Sequence, residues 1–271
     1  MRLSGQIAIV TGAGRGIGRA ISEKFAEEGA HVALVSRTAG ELNVLAKEIE
    51  EAGGTAKSFV ADVSDLAQVS EVVAQVEEAM GPVDLLMNNA GVHNGFGPIW
   101  EIDPDAWWQD MTVNVRGVFN FCREVSIRMI ERGEGRIINM VGGGFSGPSP
   151  NMSGYGASKT AVMRLTETIA AELQDHGVKA FAMGPGLVKT PLNVANMENP
   201  VAQKYMNMKA AFDAGKDIPP TVAAGIATEI ASGRVDALVG RVFRPNDDFD
   251  KLEARADEII EKDFLTLRLK T

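Results

Sequence analysis

The sequence feature that most constrains the fold is a glycine-rich run, Thr11-Gly-Ala-Gly-Arg-Gly-Ile-Gly18. It follows a short apolar run at residues 6–10, and the apolar residues Ile17, Ile21 and Phe25 then recur at helical spacing. A strand, turn and helix start of this kind needs glycine where the backbone turns tightly and approaches a pyrophosphate. The free N–H groups and the positive dipole end of the helix favour an anion. The run therefore predicts a dinucleotide site, with an ordinary strand-to-helix turn as the alternative.

Composition and charge exclude several classes of protein. The chain has 271 residues, of which 45% are hydrophobic and 23% charged, as is usual for a globular protein. A formal net charge of −9 argues against nucleic-acid and membrane-surface partners, which need clustered lysine and arginine. The N-terminus leaves no room for a signal peptide, and no apolar run is long enough to span a bilayer. The single cysteine, Cys122, is interpreted as a core residue, and we expect a cytoplasmic protein.

Apolar runs and amphipathic segments alternate along the chain. The pattern predicts strands at residues 6–10, 31–35, 57–63, 83–87, 136–141, 178–183 and 237–243. It predicts intervening helices at residues 41–52, 66–80, 104–131 and 155–174. This alternation is typical of an α/β fold with one doubly wound parallel sheet of the Rossmann type, flanked by helices. No linker or repeat divides the chain, so residues 1–271 are predicted to form a single domain.

Polar and glycine-rich clusters follow the predicted strands. Ligands of open α/β sheets bind outside the carboxyl ends of the strands. The prediction therefore gathers onto one rim the residues Gly12, Asp62, Asn89, Gly142, Tyr155 and Pro185.

Several short motifs occur in a fixed order over residues 5–191. They are Thr11-Gly-x-x-x-Gly-x-Gly18, Asp62, Asn88-Asn-Ala-Gly91, Asn114, Tyr155-x-x-x-Lys159 and Pro185-Gly186. In order and spacing this set resembles the short-chain dehydrogenase/reductase family. The resemblance, together with the arginines considered below, implies a cofactor site formed by Gly12, Arg15, Gly16, Ile17, Gly18, Ser36, Arg37, Asp62, Val63, Asn89, Ala90, Gly91, Tyr155, Lys159, Pro185, Gly186, Val188 and Thr190.

The resemblance also implies catalytic roles for three residues. Tyr155 is the general acid/base, Lys159 lies one helical turn on, and Asn114 supports a proton relay through water. Residues i and i+4 share a helix face, so the phenol and the ammonium group are expected to be neighbours. A free phenol has a pKa of about 10. The ammonium group and the positive nicotinamide ring are expected to lower that pKa, so that Tyr155 exchanges a proton while hydride moves.

Four of these residues also have structural interpretations. The structural interpretation of Asn114 is a buried, hydrogen-bonded amide. That of Asn89 is a hydrogen-bonded link between strand ends, which it would form in addition to a cofactor contact. Asp62 suits a helix N-cap, whereas the resemblance makes it the acceptor of the adenine amino group. Thr190 suits an N-cap, whereas the resemblance makes it the residue that holds the nicotinamide carboxamide.

The chain departs from the family pattern at Gly142. The family usually has a serine thirteen positions before the tyrosine, where it donates a hydrogen bond to the substrate oxygen. Here Ser153 is the favoured replacement, and Ser146 is a second candidate. The backbone N–H groups of residues 142–144 could also form an oxyanion-type site, and a loop serine that satisfies only the backbone is the plain alternative to Ser153.

A second departure concerns the choice of cofactor. A carboxylate after the second strand would bind the ribose 2′-hydroxyl and select NAD. The chain instead has Ser36-Arg37-Thr38 there, with Arg15 in the glycine turn. Guanidinium groups suit a 2′-phosphate because they form bidentate, charge-assisted hydrogen bonds. The sequence therefore predicts NADP(H), with NAD(H) as the second choice and solvated surface arginines as the alternative.

The remaining segments bear on substrate and assembly. Residues 192–218, where the family has a helical lid, carry methionines suited either to an apolar ligand or to plain packing. His93 is interpreted as a hydrogen-bonded loop residue rather than a catalyst. No metal-ligand spacing occurs. The family's paired long helices imply a dimer or tetramer, and we expect a homotetramer. The charged helical tail at residues 247–271 is expected to pack, with a neighbouring subunit as one partner.

These observations together favour one activity. The predicted function is hydride transfer between NADP(H) and a mostly apolar carbonyl or secondary alcohol, with Tyr155 as general acid/base. The alternatives are an alcohol dehydrogenase working in the oxidative direction and an epimerase or dehydratase on the same scaffold. A catalytically weak NADP(H)-binding regulator is the alternative from another class, motivated by Gly142.

Overall fold

A seven-stranded parallel sheet forms the centre of the protein, and the computed structural model describes residues 1–269. The strand order is β3-β2-β1-β4-β5-β6-β7, so the direction of winding reverses between β1 and β4. The strands are β1 (Ile7–Thr11), β2 (His31–Ser36), β3 (Thr55–Val60), β4 (Leu85–Asn88), β5 (Gly135–Met140), β6 (Val178–Met183) and β7 (Val242–Phe243). The predicted α/β class and doubly wound parallel sheet are confirmed.

Helices cover both faces of the sheet. They are α1 (Gly16–Glu27), α2 (Ala39–Glu51), α3 (Leu66–Met80), α4 (Pro104–Met111), α5 (Gly117–Arg132), α6 (Ser153–Leu173), α7 (Pro191–Glu198), α8 (Pro200–Tyr205), α9 (Met208–Asp213), α10 (Pro220–Ala231), α11 (Phe249–Ala254) and α12 (Ala256–Glu261). One apolar core lies between the sheet and α1, α2 and α10, and the other lies under α3, α5 and α6. Within residues 1–269, no helix has the length and apolar character needed to cross a bilayer.

Three predicted elements differ from the structure. β3 ends at Val60 rather than at residue 63, because the carboxylate of Asp62 accepts the Ser64 N–H and turns the chain out of the sheet. The strand predicted at 237–243 is a 3-10 turn followed by the two residues of β7, with Gly240 at a φ of +78° between them. The helix predicted at 104–131 contains a π-helical turn at Thr112–Arg116, which widens it around Asn114.

The tail after β7 packs on its own chain. Ile259 of α12 is buried in the core that includes α1 and α10, and the Val242 N–H donates to the Leu265 carbonyl at 3.0 Å. Ile260 and Phe264 remain exposed. The expected contact between the tail and a neighbouring subunit stays a prediction. The last two residues of that predicted tail, Lys270 and Thr271, lie outside the described residues.

A chain of buried polar side chains joins β4, β5 and α6. The Asn88 amide donates to Asn139 Oδ1 at 2.9 Å, and the Asn139 amide donates to Thr166 Oγ1 at 3.0 Å. Asn88 also lies 3.3 Å from the sulfur of Cys122, a thiol whose pKa burial raises to about 12. A protonated, fully buried thiol agrees with the interpretation of Cys122 as a core residue. These bonds hold α6, which carries Tyr155, in register with the sheet.

Thr166→Val should therefore destabilise the fold, because it leaves the Asn139 amide without its acceptor in the core. A buried unpaired group costs about 1–3 kcal/mol of unfolding free energy. Thr168→Val is the matched control: Thr168 makes the same hydroxyl bond to the carbonyl four residues back, but on the exposed face of α6. Urea unfolding of both variants measures the difference, and equal losses would contradict the role given to the buried chain.

Candidate active site

The glycine-rich run forms a tight loop between β1 and α1. Gly12 and Gly16 have φ angles of +63° and +58°, which favour glycine. A Cβ at Gly18 would lie 2.2 Å from the Gly12 carbonyl oxygen, so the loop packs directly against the helix. No side chain caps the first turn of α1, and that turn holds no acidic residue. The free amides and the absence of negative charge fit a bound phosphate group.

A cleft opens from this loop along the carboxyl ends of the strands. Every nucleotide-site residue predicted from the sequence lines it: Gly12, Arg15, Gly16, Ile17, Gly18, Ser36, Arg37, Asp62, Val63, Asn89, Ala90, Gly91, Tyr155, Lys159, Pro185, Gly186, Val188 and Thr190. The structure thus brings the predicted set together, although contact with a cofactor stays a prediction. Sequence reasoning missed Glu41 and Asn193, which also line the cleft, because single polar residues early in a helix carry no recognisable motif.

Tyr155 and Lys159 lie side by side on α6. The Lys159 Nζ is 5.6 Å from the centre of the Tyr155 ring and donates to the Met140 carbonyl at 3.2 Å. Burial lowers the pKa of Lys159 to about 8, against the attraction of Asp110. The expected lowering of the Tyr155 pKa by Lys159 is not found in the chain alone. Burial, with the negative charge of Asp110 adding to it, raises the pKa of Tyr155 to about 12, because both disfavour the phenolate.

Asn114 occupies the π-helical turn and is fully buried. Its Oδ1 accepts the Val92 N–H at 2.8 Å, and its amide donates to the Val92 carbonyl at 2.9 Å and to Ser158 Oγ at 3.0 Å. The alternative of a buried, hydrogen-bonded amide is therefore confirmed. A Cβ at Gly91 would lie 3.2 Å from Asn114 Oδ1 and 3.5 Å from Lys159 Nζ, so both polar groups face one point of the cleft. The relay role stays a prediction.

Comparison with known proteins identifies the family. The family model described as short chain dehydrogenase matches residues 6–200. This chain is a short-chain dehydrogenase/reductase. Galactitol 2-dehydrogenase (L-tagatose-forming) of Cereibacter sphaeroides is 37% identical over 247 residues, which are 89% of this chain and 94% of that protein. The named relatives of this chain are dehydrogenases and reductases that act on alcohol or carbonyl groups. The chain is therefore an oxidoreductase of that kind.

Solved structures of the family superpose closely. A gluconate 5-dehydrogenase from Burkholderia cenocepacia, in complex with NADP and tartrate, has a TM-score of 0.81 and 32% identity, and covers 90% of this chain and 94% of that one. Actinorhodin polyketide ketoreductase with NADPH has a TM-score of 0.80 and 29% identity, and covers 90% and 96% of the two chains. These similarities support a nicotinamide dinucleotide as the cofactor of this dehydrogenase.

The structural alternatives for three cofactor-site residues are now decided. Asn89 donates to the Thr11 carbonyl at 2.9 Å, so it does tie β4 to β1. Thr190 Oγ1 accepts the Asn193 N–H at 3.2 Å, so it does cap α7, and its hydroxyl proton remains available to a ligand. Asp62 is not an N-cap, because Asp65 caps α3. Burial opposes ionisation of Asp62, but hydrogen bonds from Ser64 outweigh it and hold its pKa below the ordinary value.

The two arginines predicted to hold a 2′-phosphate face the cleft in loose ion pairs. Arg15 lies 3.7 Å from Glu41, and Arg37 lies 3.7 Å from Asp62. Both guanidinium groups are largely exposed, with 64% and 62% of the side-chain surface accessible. Exposed pairs at this distance contribute little, so both cations remain available to a phosphate group.

Gly142 packs against Tyr155. A Cβ there would lie 2.4 Å from the Tyr155 hydroxyl oxygen, so the phenol occupies the space that a side chain would need. The structure does not bring the two candidate serines to this point. Ser153 is not among the residues that line the cleft and accepts a hydrogen bond from the Trp107 indole at 3.2 Å. Ser146 is exposed in the following loop.

Sequence reasoning missed a buried carboxylate near the tyrosine. Asp110 of α4 is fully buried and accepts the N–H groups of Asn94 at 2.7 Å and of Gly95 at 3.2 Å. Burial raises its pKa to about 6, and the two N–H donors and Lys159 work against that rise. Nothing in the sequence indicates this contact, since it joins a helix to a loop with no shared motif. Asp110 fixes the loop that follows Gly91.

Gly18→Ala should abolish tight nucleotide binding, because its Cβ meets a backbone oxygen that has no room to move. Overpacking of this kind costs about 1–3 kcal/mol, which corresponds to a loss of affinity of about tenfold or more. Gly40→Ala is the control, since a Cβ there meets nothing within 4 Å. Fluorescence titration with NADPH and NADH measures both variants. Unchanged affinity in Gly18→Ala would contradict the assignment of this loop.

Proposed function

We propose that this dehydrogenase transfers a hydride between NADP(H) and a carbonyl or secondary alcohol, with Tyr155 as the general acid/base. The observation that carries the proposal is the pairing of Tyr155 with Lys159 in a cleft that also contains the glycine loop and two largely exposed arginines. A phenol with a pKa of about 12 is protonated at neutral pH, as a proton donor to a carbonyl oxygen must be. A protonated Tyr155 suits the reduction of a carbonyl, which is the direction proposed here.

Different residues of the cleft bind different parts of the proposed cofactor. The glycine loop binds the pyrophosphate through the amides at the start of α1, and Asp62 and Val63 bind the adenine. Arg15, Ser36 and Arg37 bind the 2′-phosphate. The nicotinamide end lies against Asn89–Gly91, residues 185–188 and Thr190. The bound dinucleotide supplies the hydride, and the chain supplies orientation and the proton.

Lys159 and Asn114 support Tyr155 in this proposal. Lys159 uses one N–H on the Met140 carbonyl and retains two others, which suit the hydroxyl groups of the nicotinamide ribose. Its charge also offsets that of the phenolate formed when Tyr155 gives up its proton. Asn114, adjacent to Lys159 across Gly91, supports resupply of that proton through water.

The substrate is proposed to be a mostly apolar ketone, aldehyde or secondary alcohol. Helices α7 and α8, with α9 following them in the chain, are proposed as its lid, because α7 and α8 contact the loops that follow β4 and β5. Asn196 meets His93 at 3.5 Å, and the Asn151 amide donates to the Tyr205 carbonyl at 3.4 Å. The proposal extends to a cytoplasmic homo-oligomer, supported by Phe119, Ile127 and Ile130, which α5 leaves exposed.

Tyr155→Phe tests the proposed chemistry. It should lower carbonyl-dependent oxidation of NADPH by about a hundredfold or more, because general acid catalysis is lost while the ring is retained. Acetophenone, cyclohexanone, ethyl acetoacetate and benzaldehyde are suitable substrates, and the loss of NADPH absorbance is the readout. The affinity for NADPH should not change. NADPH binding without turnover by the wild-type protein would instead favour the weakly catalytic regulator.

Arg15→Ala and Arg37→Ala test the choice of cofactor. Each removes a charge-assisted bond to the 2′-phosphate, so each should raise the KM for NADPH about tenfold and leave that for NADH nearly unchanged. Arg19→Ala is the matched control: Arg19 is an arginine of α1 paired with Glu23 and Glu48, and it does not line the cleft. A wild-type preference for NADH would reject the assignment.

A further inference from the structure

His93 is a buried histidine for which the proposed chemistry has no role. Only 5% of its surface is exposed, and its ring stacks on that of Tyr155 with 4.6 Å between centroids. Phe96 packs against it as well, at 4.2 Å. Its Nε2 is buried and has no hydrogen-bond partner among residues 1–269. Because an unpaired buried polar atom costs about 1–3 kcal/mol, this one requires an explanation.

The neighbours of His93 indicate where its proton resides. The side-chain amide nitrogen of Asn196, on α7, lies 3.5 Å from His93 Nδ1. With this amide N–H donated to Nδ1, the neutral ring carries its proton on Nε2, and this is the tautomer that the proposal below assumes. Burial lowers the pKa of His93 to about 4, so the ring is neutral at neutral pH. The unpartnered atom is therefore an N–H donor.

At Gly142, no side chain supplies a hydrogen-bond donor beside the Tyr155 hydroxyl. Gly142 has no side chain, and the Tyr155 hydroxyl fills the space in which one would begin. Ser153 is engaged by Trp107, and Ser146 is exposed. A carbonyl oxygen at the phenol therefore finds no serine beside it. His93, like Ser153, is not among the residues that line the open cleft, but its imidazole stacks directly on the phenol ring with 4.6 Å between centroids.

We propose that the Nε2–H of His93 donates the second hydrogen bond to the substrate's carbonyl oxygen, beside the hydroxyl of Tyr155. The inference rests on the proposed reductase function and assigns the oxygen-binding group of that site. It revises the interpretation of His93 as a plain loop residue. It also gives Asp110 a positioning role, because this carboxylate holds the two backbone N–H groups that follow His93.

His93 neither gains nor loses a proton in the proposed reaction, and the atoms and charges balance without it. The carbonyl carbon gains a hydride from NADPH and forms a C–H bond, while the π pair of the carbonyl moves onto oxygen. The oxygen takes the proton of Tyr155 and forms an O–H bond, so the carbonyl is reduced and NADPH becomes NADP⁺. His93 remains neutral throughout and stabilises the charge that develops on the oxygen.

His93→Phe tests the donor, because phenylalanine retains a ring against Tyr155 but has no N–H. Removing one donor to a developing oxyanion costs about a hundredfold or more in kcat. His93→Phe should therefore lower kcat by that factor with acetophenone or ethyl acetoacetate, while the NADPH affinity stays constant. His93→Gln, which retains an N–H donor, should recover part of the loss. Asn94→Ala is the control, since its side chain is exposed and its backbone N–H remains bonded to Asp110.

Histidine-nitrogen NMR of the complex with NADPH gives a readout independent of turnover. The chain has three histidines, His31, His93 and His176, so assignment by single substitution is practical. The Nε2 of His93 should be protonated and its Nδ1 not. Isobutyramide, a carbonyl compound that the enzyme does not reduce, should shift the Nε2 proton downfield. A proton on Nδ1, or no response to isobutyramide, would overturn the proposal even if His93→Phe fails to fold.

The outcomes separate this inference from the reductase on which it rests. Turnover that depends on Tyr155 but is unchanged in His93→Phe would overturn the role of His93 alone. Wild-type protein with no Tyr155-dependent turnover on any of the carbonyl substrates would overturn both. A loss of kcat in His93→Phe that matches a loss in Asn94→Ala would show a disturbed loop and would also overturn the donor role.

Discussion

The amide side chains at the end of β4 hold together the region on which the site depends. Asn89 bonds the backbone of Thr11 and Gly12 on one side, and Asn88 bonds Asn139 on the other. The sheet reverses its winding direction between β1 and β4, so no helix crosses over that gap and the strand ends there are open to a ligand. Side chains must supply the rigidity that crossover loops give elsewhere. The glycine loop and α6 are thereby fixed to the same strand.

Burial dominates the electrostatics of this site. Tyr155 and Lys159 are shifted toward their neutral forms, the phenol to a higher pKa and the ammonium group to a lower one. Their mutual attraction is too weak in the unliganded chain to reverse this, and Asp110 lies close enough to disfavour the phenolate. A bound cofactor that carries positive charge would act in the opposite direction. In the proposed reaction, Tyr155 would therefore act first as a proton donor and become phenolate only as the proton leaves.

The sequence predicted the parts of the site that lie at strand ends, and it predicted them through motifs. Parallel strands place their carboxyl ends on one edge, so Gly12, Asp62 and Asn89 had to converge once the alternation of strands and helices was recognised. The π-helical turn around Asn114 was not predictable, because the apolar spacing through it remains helical. The contact of Asp110 with the loop after Gly91 and that of Gly142 with the Tyr155 hydroxyl were missed for another reason. Each joins segments that are distant in the sequence, and such contacts have no local signal.

The loose ion pairs of the two cleft arginines would allow a chain with a net charge of −9 to hold the phosphorylated dinucleotide proposed as its cofactor. An isolated guanidinium group would be a strong but unspecific anion site, whereas one buried against a carboxylate would be unavailable. Arg15 and Arg37 lie between these limits, each 3.7 Å from a carboxylate and mostly in water. A phosphate dianion offers more charge and shorter bonds than either partner does. Exchange of partners would therefore favour the proposed 2′-phosphate over Glu41 and Asp62.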